Sequence, residues 1–513
     1  MFSRVITAAL FGIDAYRVDV ETDVSAKLPS FNVVGLPDSA VRESRERVMS
    51  AIKNSGLPFP QGKITLNLAP ADIKKEGSAF DLPIALGLLR AIGIISGDYV
   101  DNIYVVGELG LDGSVSPIKG MLSISILAKK EKADGIIVPI ENAREAAIAQ
   151  GAPVYPVSTL KEAVDFVCGN LDIAPFKASV QDVFMAASAY TADFSDVRGQ
   201  EHVKRALEVA AAGGHNVLMI GPPGSGKTML ARRFPSILPP LSVEEALETT
   251  KIHSVAGVLP GETALVATRP FRAPHHTISD AGLIGGGAYP RPGEVSLAHH
   301  GVLFLDELPE FKKNVLEVMR QPMEDGFVTI GRAAVTLTFP SQFTLVSAMN
   351  PCPCGYFGDP YHECTCTPAS IQNYVGRISG PLLDRIDIHI EVPAVKYHEL
   401  SGPSSGDHSN DIRERVAASR RYQTKRFTDI PQVHCNAHMG TKLIREFCKL
   451  DEPSEALLRM AITKLGLSAR AYDRILKLSR TIADLESSPD IAPHHVSEAI
   501  QYRSLDRKYW RGG

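Results

Sequence analysis

The chain has 513 residues, 44% hydrophobic and 22% charged, which is typical of a folded globular protein of about three domains. Its formal net charge of −4 gives no general attraction for nucleic acid, so any nucleic-acid surface must be local. The sequence has no apolar run long enough for a membrane span and no signal-peptide layout, which predicts a cytoplasmic protein that does not enter a membrane. Four of its seven cysteines lie in one cluster, which argues against a disulfide scaffold.

Short alternating or apolar stretches in residues 1–170 predict an α/β domain. Strands are expected at 4–10, 15–20, 63–68, 103–109 and 134–138, and helices at 39–54, 80–93 and 119–132. Residues 171–195 show little sustained periodicity and are predicted to link this domain to the next one.

The most informative motif is a glycine-rich loop between an apolar strand at 217–220 and the start of a helix. It reads Gly221-Pro222-Pro223-Gly224-Ser225-Gly226-Lys227-Thr228. The glycines let the backbone curl, so that successive N–H groups point at phosphate oxygens. Lys227 would supply a positive charge to the phosphates, and Thr228 would be a magnesium ligand. The motif therefore predicts a site for a nucleoside triphosphate such as ATP, bound with Mg²⁺.

Two further apolar strands end in polar residues that fit the same site. Residues 301–305 lead to Asp306, which would bind magnesium, and to Glu307, which would polarise the attacking water. Residues 343–348 lead to Asn350, whose amide could hold that water near the γ-phosphate. Each segment alone is also compatible with an ordinary strand and loop, but parallel strands share one carboxyl edge, so the segments together predict a nucleotide hydrolase.

These motifs and four longer stretches resemble the YifB/ComM family of magnesium-chelatase-like AAA+ ATPases over essentially the whole chain. The stretches are 273–287, 292–311, 348–359 and 379–387. The resemblance implies an AAA+ core with a parallel sheet at 196–395, a flexible linker at 396–411 and a helical lid at 412–513. It also implies a homo-oligomeric ring, a hexamer, that hydrolyses ATP at subunit interfaces. The ComM branch implies a DNA translocase or helicase that acts in branch migration during DNA uptake.

Two arginines match positions that the family uses to sense the nucleotide. The resemblance places the arginine finger at Arg385, which would reach the γ-phosphate of a neighbouring subunit. The alternative for this residue is an ion pair with Asp384 or Asp387 on the same loop. The resemblance places the second sensor arginine at Arg470, and Arg474, one helical turn later, is the competing candidate.

A cluster of cysteines offers a candidate metal site. Two CxC pairs are separated by nine residues and consist of Cys352, Cys354, Cys364 and Cys366. Four thiolates can form a closed tetrahedral site, which makes structural Zn²⁺ a candidate cofactor. His362 could replace one cysteine, and unliganded thiols or a redox pair are the alternatives.

The family resemblance further implies two hairpin inserts, one before Asp306 and one around residues 326–332. The second would place Arg332 at a hairpin tip in a central pore, in contact with phosphates, whereas a solvated arginine on a surface turn is the alternative. The adjacent histidines at 275–276 and 299–300 are expected to point apart, as neighbours on a strand do, and not to bind metal.

Residues 74–89 and 107–130 resemble the Lon protease domain, which has a ribosomal S5 domain 2-like fold. The alignment places Ala79 at the position of the Lon serine nucleophile and Leu122 at that of its lysine, and neither side chain can perform this chemistry. We therefore expect a non-proteolytic domain that builds a ring face or grips DNA. A displaced dyad of Ser78 and Lys119 is the disfavoured alternative.

Beyond residue 412 the pattern becomes helical, and its first part is strongly basic. Only Glu414 opposes the cations Arg413, Arg415, Arg420, Arg421, Lys425 and Arg426. This helix could contact a DNA backbone without reading its sequence, or pair with acids of the next subunit. The function expected first is a DNA translocase. The alternatives are a protein-remodelling or regulatory ATPase and, less favoured, a metal-insertion motor of the magnesium-chelatase type.

Overall fold

A computed structural model describes residues 1–73, 75, 77–97, 101–187, 190, 192–259, 263–287, 289–332, 335–394, 407–430, 433–465, 468–505 and 509. The chain forms two compact units, Met1–Ala187 with Val243–Ala267, and Ser188–Ser242 with Thr268–Gly513. The sequence motifs assign residues 243–267 to the ATPase core, whereas their contacts lie with the N-terminal unit. Residues 396–406 of the predicted flexible linker lie outside the described residues.

The first unit is a layered α/β structure. Its strands are β1 (Phe2–Phe11), β2 (Asp14–Ser25), β3 (Ser30–Val34), β4 (Lys63–Ala69), β5 (Ile103–Val105), β6 (Glu108–Leu109), β7 (Val115–Ser116), β8 (Gly135–Pro139) and β9 (Val154–Val157). Its helices are α1 (Ser39–Asn54), α2 (Asp81–Ala91), α3 (Met121–Lys130), α4 (Ala143–Ala147), α5 (Leu160–Val167), α6 (Val180–Ala187) and α9 (Val243–Ala256). Seven strands form one sheet in the order β3-β4-β2-β1-β5-β8-β9, and β6 pairs with β7.

The strand β1 shows how this sheet separates two hydrophobic cores. Val5 belongs to the core that includes α1, α2 and α5, whereas Ile6 belongs to the core that includes α3 and α4. This follows from strand geometry, in which successive side chains point to opposite faces. The predicted strands and helices of this unit are confirmed, except that the strand expected at 103–109 is divided into β5 and β6. The elements β3, β7, β9, α4 and α5 were not predicted. The helix α6 also lies within the stretch that the sequence predicts as a linker.

The helix α9 is joined to the first unit by polar as well as apolar contacts. Ser254 on α9 donates a short hydrogen bond to the buried carboxylate of Glu145, which also accepts from the backbone N–H of Leu122. Lys251 lies 2.6 Å from Asp14 in an ion pair. Because a buried carboxylate needs such partners, α9 completes the N-terminal unit rather than covering it loosely.

The second unit contains the phosphate-loop motif. Its strands are β10 (Val217–Ile220), β11 (Phe271–Arg272), β12 (Gly285–Gly286), β13 (Arg291–Pro292), β14 (Val302–Leu305), β15 (Phe327–Arg332), β16 (Val335–Pro340), β17 (Thr344–Met349) and β18 (Ile388–Glu391). Its first helices are α7 (Glu201–Gly213), α8 (Lys227–Ile237), α10 (Asp280–Ile284), α11 (Glu294–Leu297), α12 (Lys313–Val318), α13 (Arg320–Asp325), α14 (Pro368–Val375) and α15 (Gly380–Leu383). The C-terminal helices are α16 (Ser409–Arg426), α17 (Thr441–Phe447), α18 (Glu452–Leu465), α19 (Ala469–Leu485) and α20 (Pro493–Gln501).

A five-stranded sheet in the order β11-β14-β17-β10-β18 organises this unit, and every pairing in it is parallel. The strands β10, β14 and β17 are fully or almost fully buried, as expected for apolar strands covered on both faces. Their carboxyl ends therefore meet at one edge. The parallel α/β core predicted from the three apolar strands is confirmed.

The C-terminal helices share a hydrophobic core with the sheet, in which Phe234 of α8 and Ile475 of α19 are both buried. Buried polar contacts add to this packing. His215 lies with Nδ1 3.0 Å from Asp387 and Nε2 2.8 Å from the hydroxyl of Thr481 on α19. Arg426 and Asp484 pair across α16 and α19. The predicted helical lid is thus present and firmly joined to the sheet.

Both predicted hairpin inserts are also present in the second unit. The strand β12 pairs antiparallel with β13, and β15 pairs antiparallel with β16. Arg332 at the end of β15 is exposed, and residues 333–334 between these strands lie outside the described residues. Among the described residues, no helix combines the length and apolar character that crossing a bilayer requires.

Candidate nucleotide-binding site

The phosphate loop connects the buried strand β10 to the helix α8. Gly224 has φ +75° and Gly226 has φ +89°, a left-handed region that side chains with a Cβ disfavour. A Cβ on Gly221 would lie 2.1 Å from the carbonyl oxygen of Val392, so space also requires glycine at this position. The predicted curled loop is therefore formed as the glycine pattern indicates.

Lys227 is held inside this loop. Its Nζ donates to the carbonyl oxygens of Gly221 at 2.7 Å and Pro222 at 2.8 Å, with the Ser225 hydroxyl 3.4 Å away. Burial lowers the pKa of Lys227 to about 8, although the charges of acids at the neighbouring strand end oppose this shift. The amine thus lies among oxygen acceptors in a partly dry environment, where a phosphate would gain a strong electrostatic interaction.

Thr228 and Asp306 form the polar pair expected of a magnesium site. The hydroxyl of Thr228, at the start of α8, donates to Oδ2 of Asp306 at 2.7 Å. Asp306 follows β14, and its Oδ1 accepts from the backbone N–H of Glu307 at 3.0 Å. A hydroxyl and a carboxylate from adjacent elements are oxygen donors of the kind that Mg²⁺ prefers, so these residues fit that ion.

Glu307 has a left-handed backbone with φ +53°, and its side chain reaches the loop that follows β11. Its Oε2 lies 3.3 Å from Nδ1 of His276. Both residues, with Thr228 and Arg232 of α8, help to line a cavity of about 270 Å³. This contact was not predicted from the sequence, although His276 lies in a stretch that carries the family resemblance.

The expectation that the paired histidines point apart is wrong. The rings of His275 and His276 have centroids 4.1 Å apart, and those of His299 and His300 are 3.8 Å apart. The reason is local structure, because none of the four residues lies in a strand.

Asn350 follows β17 at the same sheet edge. Its Oδ1 accepts from Nζ of Lys227 at 3.2 Å. The side chain predicted to hold a water molecule therefore lies within hydrogen-bonding distance of the phosphate-loop lysine. The structure brings Lys227, Thr228, Asp306, Glu307 and Asn350 together at one edge of the sheet, as the three strand ends predict.

Arg385 lies apart from these contacts. Its guanidinium forms a close ion pair with Glu324 at the end of α13 and donates to the carbonyl oxygen of Pro381 at 2.6 Å. The residue is 9% exposed. In the described part of the chain, its ion pair is thus neither of the two predicted alternatives, because Asp384 pairs with Arg470 and Asp387 pairs with Arg474.

The two candidate sensor arginines of the lid differ clearly. Arg470 is 66% exposed in its side chain and lies 3.1 Å from Asp384. Arg474 is more buried and lies 2.7 Å from the carboxylate of Asp387, which is 1% exposed. Burial opposes ionisation of Asp387, but Arg474 and His215 outweigh it and hold its pKa well below the usual range. Both arginines line one cavity, in which Arg474 pairs with a buried carboxylate and Arg470 with a partly exposed one.

The four clustered cysteines come together in space. Their Sγ atoms all lie within 4.8 Å of one another, and none of them forms a disulfide. They are Cys352, Cys354, Cys364 and Cys366. His362, the sequence alternative, instead has Nδ1 3.3 Å from Asp359. Four thiols at this spacing fit a tetrahedral metal ion.

The loop that carries these cysteines packs against the phosphate loop. A Cβ on Gly355 would lie 2.6 Å from Cδ and 2.7 Å from Cγ of Pro223. Gly355 has φ +90°, so both conformation and space favour glycine at this position. On its other side, Phe357 contacts the ring of Tyr509 with centroids 6.4 Å apart. No sequence pattern predicted the contact between Gly355 and Pro223.

Most cations of the basic helix α16 are engaged within the same unit. Arg415 pairs with Glu208 and Asp407, and Arg426 pairs with the buried Asp484. The guanidinium of Arg420 donates to backbone carbonyl oxygens. Arg421 and Lys425 remain exposed. Most of the cations that could contact phosphates are therefore engaged in contacts within the described part of the chain. The predicted alternative was pairing with acids of a neighbouring subunit, but the partners seen here belong to the same chain.

The two candidates for a displaced dyad, Ser78 and Lys119, have separate surroundings in the described part of this unit. Ser78 donates a short hydrogen bond to Glu108, whereas the side chain of Lys119 lies beside Gly257. Nearby, Asp81 is fully buried and pairs with Arg47 at 2.7 Å. Burial raises the pKa of Asp81 to about 6, even though Arg47 opposes the shift. The non-proteolytic character of this domain stays a prediction.

Comparisons with known proteins agree with this architecture. Three family models match: "Magnesium chelatase, subunit ChlI" at residues 193–400, "Subunit ChlI of Mg-chelatase" at 20–142, and "Magnesium chelatase, subunit ChlI C-terminal" at 406–503. The competence protein ComM of Haemophilus influenzae is 42% identical over 507 residues, covering 98% of this chain and 97% of ComM. The YifB protein of Escherichia coli is 43% identical over 506 residues, with the same coverage.

The Lon-like character of the N-terminal region also has a counterpart among these relatives. Lon protease 2 of Bacillus subtilis is 34% identical over 171 residues, which is 30% of each chain. The predicted resemblance is confirmed by the family models and by the relatives that match nearly the full length. With its parallel-sheet phosphate-loop unit, helical lid and Lon-like N-terminal region, the chain belongs to the YifB/ComM family of magnesium-chelatase-like AAA+ proteins.

Proposed function

We propose that this protein hydrolyses ATP with Mg²⁺ at the edge of its parallel sheet. The observation that carries the proposal is the convergence of Lys227, Thr228 and Asp306, with Thr228 2.7 Å from Asp306. Membership in an AAA+ family is consistent with this chemistry. The divalent ion would neutralise charge on the phosphates, held by Thr228 and Asp306. Lys227 and the backbone N–H groups of the loop would bind the β- and γ-phosphates.

The remaining residues at this edge would act on the attacking water. Glu307 would orient the water and accept its proton, as a carboxylate beside the phosphate site can. Asn350 lies within hydrogen-bonding distance of Lys227 and would fix both the lysine and the water relative to the γ-phosphate. We assign Glu307 as the general base and Asn350 as the first sensor.

We further propose that the active site is completed by a second copy of the chain, in a homo-oligomeric ring that we take to be a hexamer. The described contacts of Arg385 are with Glu324 and Pro381, not with the phosphate loop of its own chain. As an arginine finger it would leave Glu324 and reach the γ-phosphate bound by the neighbouring subunit. Arg470, exposed on the lid, would sense the nucleotide from its own subunit.

We propose that this ATPase translocates DNA, as a helicase that acts in branch migration during DNA uptake. Two observations support it. The hairpin β15–β16 presents the exposed Arg332 where a phosphate could be contacted. A relative that matches nearly the whole chain is a competence protein by name. Residues 1–170 would then form a ring face or a non-proteolytic DNA grip.

A protein substrate is the alternative, and one observation favours it. Most cations of α16 are paired or hydrogen-bonded within the chain, as shown by Arg415 with Glu208 and by Arg426 with Asp484. That leaves less positive charge for a DNA backbone than the sequence suggests. A remodelling or regulatory ATPase would need no such charge. A metal-insertion motor of the magnesium-chelatase type has no further support in the described residues.

The deciding experiment is the ATPase rate without DNA and with single-stranded DNA, duplex or a four-way junction, each at low and moderate salt. A DNA motor should be stimulated, and the stimulation should fall as salt rises, because phosphate contacts release counterions. The Glu307→Gln variant should lose turnover under every condition. A wild-type rate that is indifferent to all nucleic acids would refute the DNA proposal and favour a protein substrate.

We also propose that the four clustered cysteines bind a structural Zn²⁺. Their mutual distances within 4.8 Å and the packing of Gly355 on Pro223 support a metal-stiffened loop that supports the phosphate loop. None of the seven cysteines forms a disulfide, which fits a reducing cytoplasm as the place of action. Protein purified without chelator should contain one zinc per chain by elemental analysis, and a Cys364→Ser, Cys366→Ser variant should not. Absence of zinc from the wild type would refute this proposal.

A further inference from the structure

The ion pair of Arg385 and Glu324 lines two open cavities of the second unit. One cavity, of about 200 Å³, is shared with the lid, and the other, of about 370 Å³, is shared with the strand β15. The Glu324 side chain is 57% exposed, whereas that of Arg385 is 10% exposed. Among the described residues, Nε of Arg385 is buried and has no hydrogen-bond partner. Its own chain therefore satisfies this guanidinium only in part.

An arginine finger that reaches a neighbour's γ-phosphate leaves Glu324 without its cation. Because the two side chains are in contact, docking Arg385 at that phosphate also brings the Glu324 carboxylate close to the bound triphosphate. A carboxylate and a phosphate repel each other strongly in a site that excludes part of the water. The finger can therefore dock at lower cost if another cation takes its place beside Glu324.

The candidate nucleotide-binding site carries such a cation on the helix α8. Arg232 lines the cavity of about 270 Å³ that Thr228 and Asp306 also line. Its side chain is exposed, and within the described part of the chain it has no ion pair or hydrogen bond. The next residue, Arg233, differs because it pairs with Asp196 at 2.8 Å. Arg232 thus has no counter-ion of its own at the cavity where a neighbour's finger would arrive.

We infer that Glu324 exchanges partners when two subunits close on ATP, leaving Arg385 of its own chain and pairing with Arg232 of the neighbouring subunit. This inference rests on the proposed ATPase ring and adds a second contact to the one made by the finger. Arg385 passes to the neighbour's phosphate, and Arg232 of that neighbour pairs with the carboxylate left behind. After hydrolysis, Arg385 can return to Glu324, so the carboxylate has a cation in both states.

The test reverses the two charges in the full-length chain, singly and together. Arg232→Glu or Glu324→Arg places like charges opposite each other, so self-association with Mg²⁺ and a non-hydrolysable ATP analogue should weaken about 100-fold. Analytical ultracentrifugation measures this association. The double variant carries opposite charges again at every interface and should associate within about tenfold of the wild type. ATP turnover should follow the assembled fraction, because the finger acts only between subunits.

Neutral variants test the same pair without repulsion. If Arg232 and Glu324 contact each other, the double variant Arg232→Gln, Glu324→Gln should associate no more weakly than either single variant. Asp325→Arg is the matched control, because Asp325 is also an exposed carboxylate at the end of α13. Combined with Arg232→Glu, it should not restore association.

Three results would overturn the inference. They are a double charge reversal that does not recover association, an equal recovery with Asp325→Arg, and a weaker Kd for ATP in monomeric Arg232→Glu, which would make Arg232 a ligand of its own nucleotide. The ring proposal fails separately. If mixing Arg385→Ala with Lys227→Ala restores no turnover, the finger does not act between subunits. If that mixture is active and charge reversal gives no recovery, only the partner exchange is wrong.

Discussion

Replacing Gly355 by alanine tests whether the cysteine loop supports the phosphate loop. The added methyl group would lie 2.6 Å from Cδ and 2.7 Å from Cγ of Pro223. Ordinary carbon contacts are about 3.5–4.0 Å long, so one loop must move by about 1 Å. The cysteine loop is held by its own contacts, among them the buried Cys352. We therefore expect the phosphate loop to yield.

The size of the effect follows from two costs. Alanine at φ +90° costs about 1–2 kcal/mol in conformational free energy, which lowers the stability of the fold. Forcing a methyl group into a packed contact costs about 1–3 kcal/mol more. The phosphate loop can relieve about 1–2 kcal/mol of this packing cost by leaving its phosphate-binding geometry. ATP binding must then restore that geometry, which raises the Kd for ATP about 5- to 30-fold.

The assay is fluorescence titration with a labelled ATP analogue, together with thermal unfolding. The matched control is Gly77→Ala, because Gly77 also has φ +90° but an added Cβ there would meet nothing within 4 Å. Both variants should lose the stability that alanine costs at φ +90°, Gly355→Ala should lose more because of its contact with Pro223, and only Gly355→Ala should lose affinity. Equal affinities of the two variants would refute the view that the cysteine loop supports the phosphate loop.

Three further predictions concern charged residues of the second unit. Burial lowers the pKa of Lys227 to about 8. Since bound phosphate keeps the amine protonated, the Kd for ATP should rise about tenfold from pH 7 to pH 9. A Kd that does not change with pH would contradict this prediction. Arg385→Ala should lower kcat by about 10³-fold with ATP binding retained, and mixing it with Lys227→Ala should restore partial turnover only if the finger acts between subunits. Arg474→Ala should unfold at a clearly lower temperature than Arg470→Ala. The Arg474 variant leaves the buried carboxylate of Asp387 without its arginine, which costs about 3–5 kcal/mol of folding free energy. Equal melting temperatures would contradict the view that Arg474 has a structural role.

The sequence was sufficient for the elements that depend on local pattern. The strands β10, β14 and β17 are short apolar runs followed by polar residues, and parallel pairing brings their ends together wherever such runs share a sheet. The phosphate loop is equally local, since its glycines are required by φ values and by space within the loop itself. For this reason, the convergence of Lys227, Thr228 and Asp306 is predictable from the sequence alone.

Other features depend on which distant surface a segment meets, and periodicity carries no such information. The helix α9 follows the phosphate-loop helix in sequence, yet its Ser254 contacts Glu145 of the N-terminal unit. Nothing in the local pattern of residues 243–256 distinguishes that partner from the ATPase core. Sequential continuity was therefore a poor guide to domain membership at this point.

Charged residues show most clearly that a local sequence pattern does not reveal the distant partners of a segment. A count of six cations against two acids on α16 gives the sign of a local field, but a field reaches solvent only if the cations lack partners. Glu208 and Asp484 lie on other helices, and they neutralise Arg415 and Arg426. The exposed Arg332, by contrast, comes from a stretch with far less net charge. A DNA surface in this family member should accordingly be sought first on the hairpin β15–β16, and Arg332→Ala should reduce any DNA stimulation more than Arg415→Ala does.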